Sequence, residues 1–281
     1  MSLLIRKEVI DMADFKVEYP APDCLAPAAI EAKTEGAGVA KADLPVAKAF
    51  LLAMFAGAFI AFGGLFFTVF LSDSTLGWGA QRVVGGLCFC LGLVLVLVCG
   101  AELFTGNSLM VCALKSKKIT LAQMLKAWVV VWLGNFAGAL FIVFLVYMAG
   151  IYKLNGEAVA NSMVSVAAGK VTIDWVTIFF RGILCNICVC LAVWCSVRLK
   201  DEAARLIMVV WCILIFMICG FEHSIANMTI IGTALLNTTQ DVTLSGYVWN
   251  LVFVTLGNMV GGTVFVALPY HLVAQEGQKV G

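Results

Sequence analysis

Gly220-Phe221-Glu222-His223-Ser224-Ile225-Ala226-Asn227-Met228 interrupts a long apolar region, between Leu206–Cys219 and Thr229–Leu236. Ionisable groups in hydrocarbon cost roughly 3 kcal/mol each on insertion scales, so they face protein or a water-filled path. The pattern occurs twice. Gly100, Glu102 and Asn107 lie 120 residues before Gly220, Glu222 and Asn227. Leu133-Gly134-Asn135-x-x-Gly138 recurs as Leu256-Gly257-Asn258-x-x-Gly261, 123 residues on. Two matches at nearly one offset imply a duplicated half with one polar interruption in each. Paired, Gly-interrupted apolar segments point to a midplane site in a transporter.

Composition agrees. The 281 residues are 62% hydrophobic and 12% charged, with a mean hydropathy of +1.02. About a quarter of a soluble domain is charged. The apolar runs are continuous rather than alternating, which favours spanning helices over a membrane barrel. A net charge of +1 and no basic stripe give no footing for a nucleic-acid partner. Ten of eleven cysteines lie in or beside apolar segments, where a thiol behaves as a small hydrophobe. Cys185-x-x-Cys188 has redox or metal spacing, but lacks a second pair and a flanking basic group, so packing is the better reading. The sequence suggests no cofactor and no metal site. Met1–Tyr19 has no apolar stretch of signal-peptide type.

Residues 1–47 read as a cytoplasmic tail, with a short amphipathic helix over Ala28–Ala40 at the membrane face. Residues 48–272 hold six spans, each needing about 20 apolar residues. These are Phe50–Leu71, Ala80–Leu114 (broken at Gly100–Asn107), Leu121–Ala149, Ile173–Val197, Ala204–Leu236 (broken at Gly220–Asn227) and Gly246–Leu268. Residues 273–281 form a second cytoplasmic tail. Lys and Arg concentrate before span one and after spans two and four, whereas Ser72–Gly79 and Asn237–Ser245 have none. Both termini therefore face the cytoplasm. Trp78, Trp128, Trp175, Trp194 and Trp249 fall near span ends, as interfacial anchors do.

Three spans per half invert the second half relative to the first. The fold expected is all-α, a 3+3 inverted repeat with two broken helices meeting centrally. Asn107 and Asn227 are expected to cap the second half-helices. Two helix N-termini would then point at one anion site. His223 is the leading candidate for a donor in a pore, against a core histidine bonded to broken backbone. Glu102 and Glu222 suit pinning an unwound turn by accepting backbone N–H bonds more than carrying protons. Thr105 either lines the pore or caps the half-helix. Asn186 is a pore-lining candidate or an interhelical bond. Lys170, at the outer end of span four, would draw anions into a vestibule or snorkel. Arg181 reads as a salt bridge between spans or subunits.

Gly100-Ala-Glu-Leu-Phe-Thr-Gly-Asn107, Phe221-Glu-His-Ser-Ile-Ala-Asn-Met228 and Leu256-Gly-Asn-x-x-Gly261 resemble the signature stretches of the formate/nitrite transporter family, across about Ala28 to Tyr270. The resemblance implies an aquaporin-like protomer, a homopentamer in the cell membrane and one pore per protomer. It implies that His223 and Thr105 face each other, flanked by apolar constrictions at Phe89, Leu93, Leu103, Val189 and Phe216. It also implies pore and vestibule roles for Asn186 and Lys170. Substrates in the family are formate, nitrite, hydrosulfide and related small anions, and the loop residues look nearer the nitrite branch. The function expected is a channel, not an enzyme, in which the anion and a proton cross together as the neutral acid. A neutral-solute channel of aquaporin type is the competing reading, but its Asn-Pro-Ala boxes are absent. An intramembrane enzyme is a third, lacking paired ligands or a base beside a nucleophile.

Overall fold

The structure, a computed structural model, describes residues 24–73, 75–237 and 241–279. α1 (Pro27–Ala42) precedes α2 (Val46–Leu71) and α3 (Trp78–Val98). A 3₁₀ turn, Gly106–Met110, leads into the short α4 (Val111–Lys115) and then α5 (Leu121–Met148). α6 (Ala158–Val171) precedes α7 (Trp175–Arg198), α8 (Glu202–Cys219) and α9 (Ser224–Leu236). α10 (Leu244–Gly262) continues through a π turn, Thr263–Ala267, into α11 (Leu268–Lys279). Among the described residues six helices are long and apolar enough to cross a membrane: α2, α3, α5, α7, α8 and α10 with its continuation. The protein is a multi-pass, all-helical membrane protein.

The helices begin where the sequence supplies acceptors for their free N–H groups. Thr120 and Gln123 form a reciprocal capping box before α5. Asp174, Asp201 and Thr243 cap α7, α8 and α10. The spans pack through small residues. A Cβ on Gly138 would overlap the backbone carbonyl of Met54, and one on Gly261 that of Ile183. The repeated Gly therefore lets α5 meet α2, and α10 meet α7, backbone to backbone, as small residues do in membrane interfaces.

Several expectations change here. Lys170 does not end span four. It belongs to α6, a separate short helix that fills most of the predicted Gly150–Thr172 loop. Trp128 and Trp194 are buried rather than interfacial. Trp128 donates to the Asn107 carbonyl at 3.0 Å, and Trp194 stacks on Tyr270 at 4.5 Å. Trp78, Trp175 and Trp249 are exposed, as expected. α1 spans more than the amphipathic stretch read from Ala28–Ala40, and its buried side, with Ile30, Glu31 and Glu35, faces protein. Met1–Tyr19 lies outside the described residues.

Candidate functional site: two broken helices around a central histidine

Both predicted interruptions are present. α3 stops at Val98 and α8 at Cys219, and each is followed by a glycine in the left-handed region, Gly100 at φ +69° and Gly220 at φ +68°. Glycine takes that conformation without a Cβ penalty. The chain then runs without helix for a few residues, extended at His223 in the second half, before helix resumes.

The unwound backbone is held by the asparagines of the second repeated motif. Asn135 Nδ2 donates to the carbonyls of Ala53 (2.8 Å) and Glu102 (2.9 Å), while its Oδ1 accepts from Phe104 N (2.9 Å). Asn258 does the same for Gly182 (2.8 Å), Glu222 (2.9 Å) and Ser224 N (2.9 Å). Backbone without a partner in a low-dielectric interior is costly, and one amide here satisfies both a donor and an acceptor. Sequence reading found both asparagines as a repeat but gave them no task.

The carboxylates act differently from expectation. Glu102 and Glu222 accept no backbone N–H bond among those described. Glu102 is gripped by Lys41 Nζ (2.7 and 2.6 Å) and Asn107 Nδ2 (3.2 Å). Glu222 is gripped by Lys170 Nζ (2.9 and 3.0 Å) and Asn227 Nδ2 (2.6 Å). Asn107 and Asn227 are therefore not caps; they lie within the first turns and bind the carboxylates five residues back. Lys41 had been read only as part of the tail. Lys170 lines the two cavities outside His223, with its ammonium paired to Glu222 and its side chain 16% exposed. Arg181 makes no ion pair among the described residues; it lines a cavity at the mouth remote from α1.

The cap of α9 is His223. Its Nδ1 accepts from Ala226 N at 3.1 Å. That assigns the other ring proton: with Nδ1 an acceptor, Nε2 carries hydrogen. Nε2 points to Thr105 Oγ1, 3.1 Å away in the other loop. In the first half the 120-residue counterpart of His223 is Leu103, whose side chain has no acceptor, and there the chain resumes as a 3₁₀ turn with no side-chain cap.

Around this contact the site is polar and closed. Asn186 Nδ2 lies 3.1 Å from the Thr105 carbonyl, 3.1 Å from Ser108 Oγ and 2.6 Å from the Asn258 carbonyl. Asn186 Oδ1 and Ser224 Oγ are buried without a partner among the described residues. Apolar groups flank the polar island. Phe216 stacks on the imidazole at 6.0 Å, and Phe89 meets Phe216 edge-on at 5.6 Å. Leu93, Leu103 and Val189 are buried in the same core. A cavity of about 60 Å³ reaches His223 past Phe216, and a larger one of about 340 Å³ opens beyond it.

The family model described as formate/nitrite transporter matches residues 28–272. The chain belongs to that family. Among its relatives, the formate channel FocA of Escherichia coli K12 is 36% identical over 270 residues, covering 89% of this chain and 95% of that protein. The nitrite transporter NirC of the same strain is 38% identical over 230 residues, covering 80% and 82%. A solved structure of an FNT family ion channel superposes with a TM-score of 0.80 at 31% identity, covering 87% of this chain and 98% of that one. A pentameric formate channel with formate bound gives 0.73 at 30% identity, covering 81% and 97%.

Proposed function

We propose that the chain is a channel for small monovalent anions, formate or nitrite, which cross the apolar slits as the neutral acid. The observation that carries this is His223: a neutral imidazole, held by its Nδ1 bond, presents an N–H to a polar island beside the Phe216–Phe89 pair. A bare anion in such a slit meets a desolvation cost of order 20 kcal/mol by idealised Born estimates. Protonating an acid with a pKa of about 3.5 at pH 7 costs roughly 5 kcal/mol, at 1.36 per unit. The smaller number decides the route. The anion takes a proton from the aqueous mouth as it leaves water. Nε2–H and the Thr105 hydroxyl then hold its oxygen, and the N-terminus of α9 favours whatever negative charge persists.

Thr105, His223 and Asn186 serve as the central polar station, with Phe89, Leu93, Leu103, Val189 and Phe216 as constrictions. Glu102, Glu222, Asn107 and Asn227 keep the loops in place. Five copies assemble, as in the pentameric formate channel, with one pore per protomer. The termini lie on the cytoplasmic side, with residues 1–47 and 273–281 flanking the 48–272 pore domain. No catalytic chemistry is assigned.

Proteoliposome flux of formate, nitrite and hydrosulfide across a pH series tests substrate and proton use together. His223→Asn is the informative variant, because an asparagine at that position can still cap α9. Uptake should fall steeply at every pH while the fold, and the rise of uptake toward acid set by protonation of the anion in water, are kept. Unchanged uptake with an unchanged pH profile would remove the histidine from the mechanism.

A further inference from the structure

The mouth remote from α1 opens into a cavity of about 340 Å³, lined by Arg82, Lys170, Arg181 and Glu222 among others. Lys170 and Glu222 neutralise one another at 2.9 Å. Arg82 and Arg181 have no carboxylate partner among the described residues, so two guanidinium charges remain facing one cavity. Arg82 is steered by Trp78, whose ring lies 5.5 Å beneath its guanidinium carbon.

The duplication shows that neither arginine is part of the shared scaffold. The bond from Glu102 N to the Leu52 carbonyl recurs as Glu222 N to the Arg181 carbonyl, so Arg181 stands where the first half has Leu52. At the 120-residue offset that relates Gly100 to Gly220, Arg82 corresponds to Glu202. One mouth thus carries two arginines where the other carries a leucine and a glutamate. Two like charges sharing a cavity repel, and among the described residues neither finds a carboxylate that would offset the repulsion. A planar guanidinium suits the two oxygens of a carboxylate or oxyanion.

We propose that Arg82 and Arg181 form an anion-docking subsite on that mouth alone, which takes oxyanions and small dicarboxylates. It rests on the transport reading above. Beyond it the space narrows to about 60 Å³ beside Phe216 and His223. A monoanion of formate or nitrite size passes on as its neutral acid. A dianion such as sulfate or oxalate, needing two protons and more room, docks and stays. Dianions therefore act as one-sided blockers.

The test uses the full chain in phosphatidylcholine vesicles free of anionic lipid, so that no lipid phosphate competes. Formate flux is measured with sulfate or oxalate added on one side at a time, the orientation read from tag accessibility. Block is expected from the Arg82 side at least tenfold more sensitively than from the other. Arg82→Gln with Arg181→Gln should raise the half-blocking concentration at least tenfold and the apparent KM for formate from that side severalfold. The double lysine variant, keeping charge, should recover part of both. Equal block from both sides, or equal block of parent and double glutamine variant, would overturn the proposal. A second readout needs no transport: sulfate titrated against Trp78 fluorescence in detergent, corrected with Trp78→Phe. A saturable signal lost in the double glutamine variant supports docking even if formate flux is absent and the transport reading fails. Intact formate flux with no saturable signal overturns docking alone.

Discussion

Replacing Asn258 by leucine should do more damage than any other single change of similar volume in the second half. Leucine fills nearly the same space, so no cavity opens, but three hydrogen bonds of 2.8 to 2.9 Å disappear. The Gly182 carbonyl sits inside α7 and keeps its helical bond. The Glu222 carbonyl and Ser224 N–H do not, and both are buried. An unsatisfied buried group costs about 1–3 kcal/mol, so the loss is roughly 2–6 kcal/mol. That is a large part of a typical net stability of about 5–15 kcal/mol. At about 2–4 °C per kcal/mol the melting temperature in detergent should fall by roughly 4–24 °C. Ser224 follows the cap of α9, so the imidazole should lose its aim at Thr105 and flux should fall further than stability alone explains. Asn135→Leu should behave alike through Phe104 N. Differential scanning of the purified pair, with flux measured well below the transition, is the assay. A melting shift under about 1 °C together with parental flux would refute the claim that these amides hold the loops.

Lys170→Met should destabilise more than the double change Lys170→Met with Glu222→Gln, because the single variant leaves a buried carboxylate unpaired, a loss of about 3–5 kcal/mol; a double-mutant cycle on melting reads it. Lys41→Met should cost less, since Lys41 is 28% exposed where Lys170 is 16%. Gly261→Ala should prevent α10 from seating on α7 and lower the yield of folded protein in size-exclusion chromatography. Near the termini, burial raises the Glu31 pKa above its ordinary value, helped by neighbouring Glu35 and opposed by His271, whose Nδ1 is 2.8 Å away. Lys118 holds Glu35 on the far side. The folded chain thus keeps a proton at Glu31 that the unfolded chain gives up. Docking of α1 should be firmest in acid and weaken as pH rises from the ordinary glutamate range through the raised value. Hydrogen exchange of α1 amides, corrected for intrinsic rate, measures it. Serine at Cys185 and Cys188 together should leave flux intact.

The spans were readable because their signal is composition over about 20 residues, and membrane burial dominates every other preference. The breaks were readable for the opposite reason, since Gly, Glu, His and Asn are conspicuous in an apolar run. What failed was partner choice. A carboxylate in a loop can be satisfied by backbone or by a distant ammonium, and nothing local to Glu102 announces Lys41, 61 residues earlier. The cap of α9 was misassigned to Asn227 because histidine ranks low as a cap, whereas here Nδ1 takes the bond. Asn135 and Asn258 carried a clear signal, their repetition, which marked them as important without saying for what. Glu31, Glu35 and His271 gather from opposite ends of the chain, so no pattern of spacing could have joined them.

Lys41 sits ahead of the first span, in a stretch that hydropathy alone would mark as dispensable. Its ammonium nevertheless ends on the carboxylate of the first re-entrant loop. A proteolytic nick or a deletion just before Val46 would keep all six crossings and still strand Glu102 without its counter-ion. Trimming that segment is therefore surgery on the first broken helix, and an inactive truncated protein would report the stranded carboxylate rather than the loss of a tail.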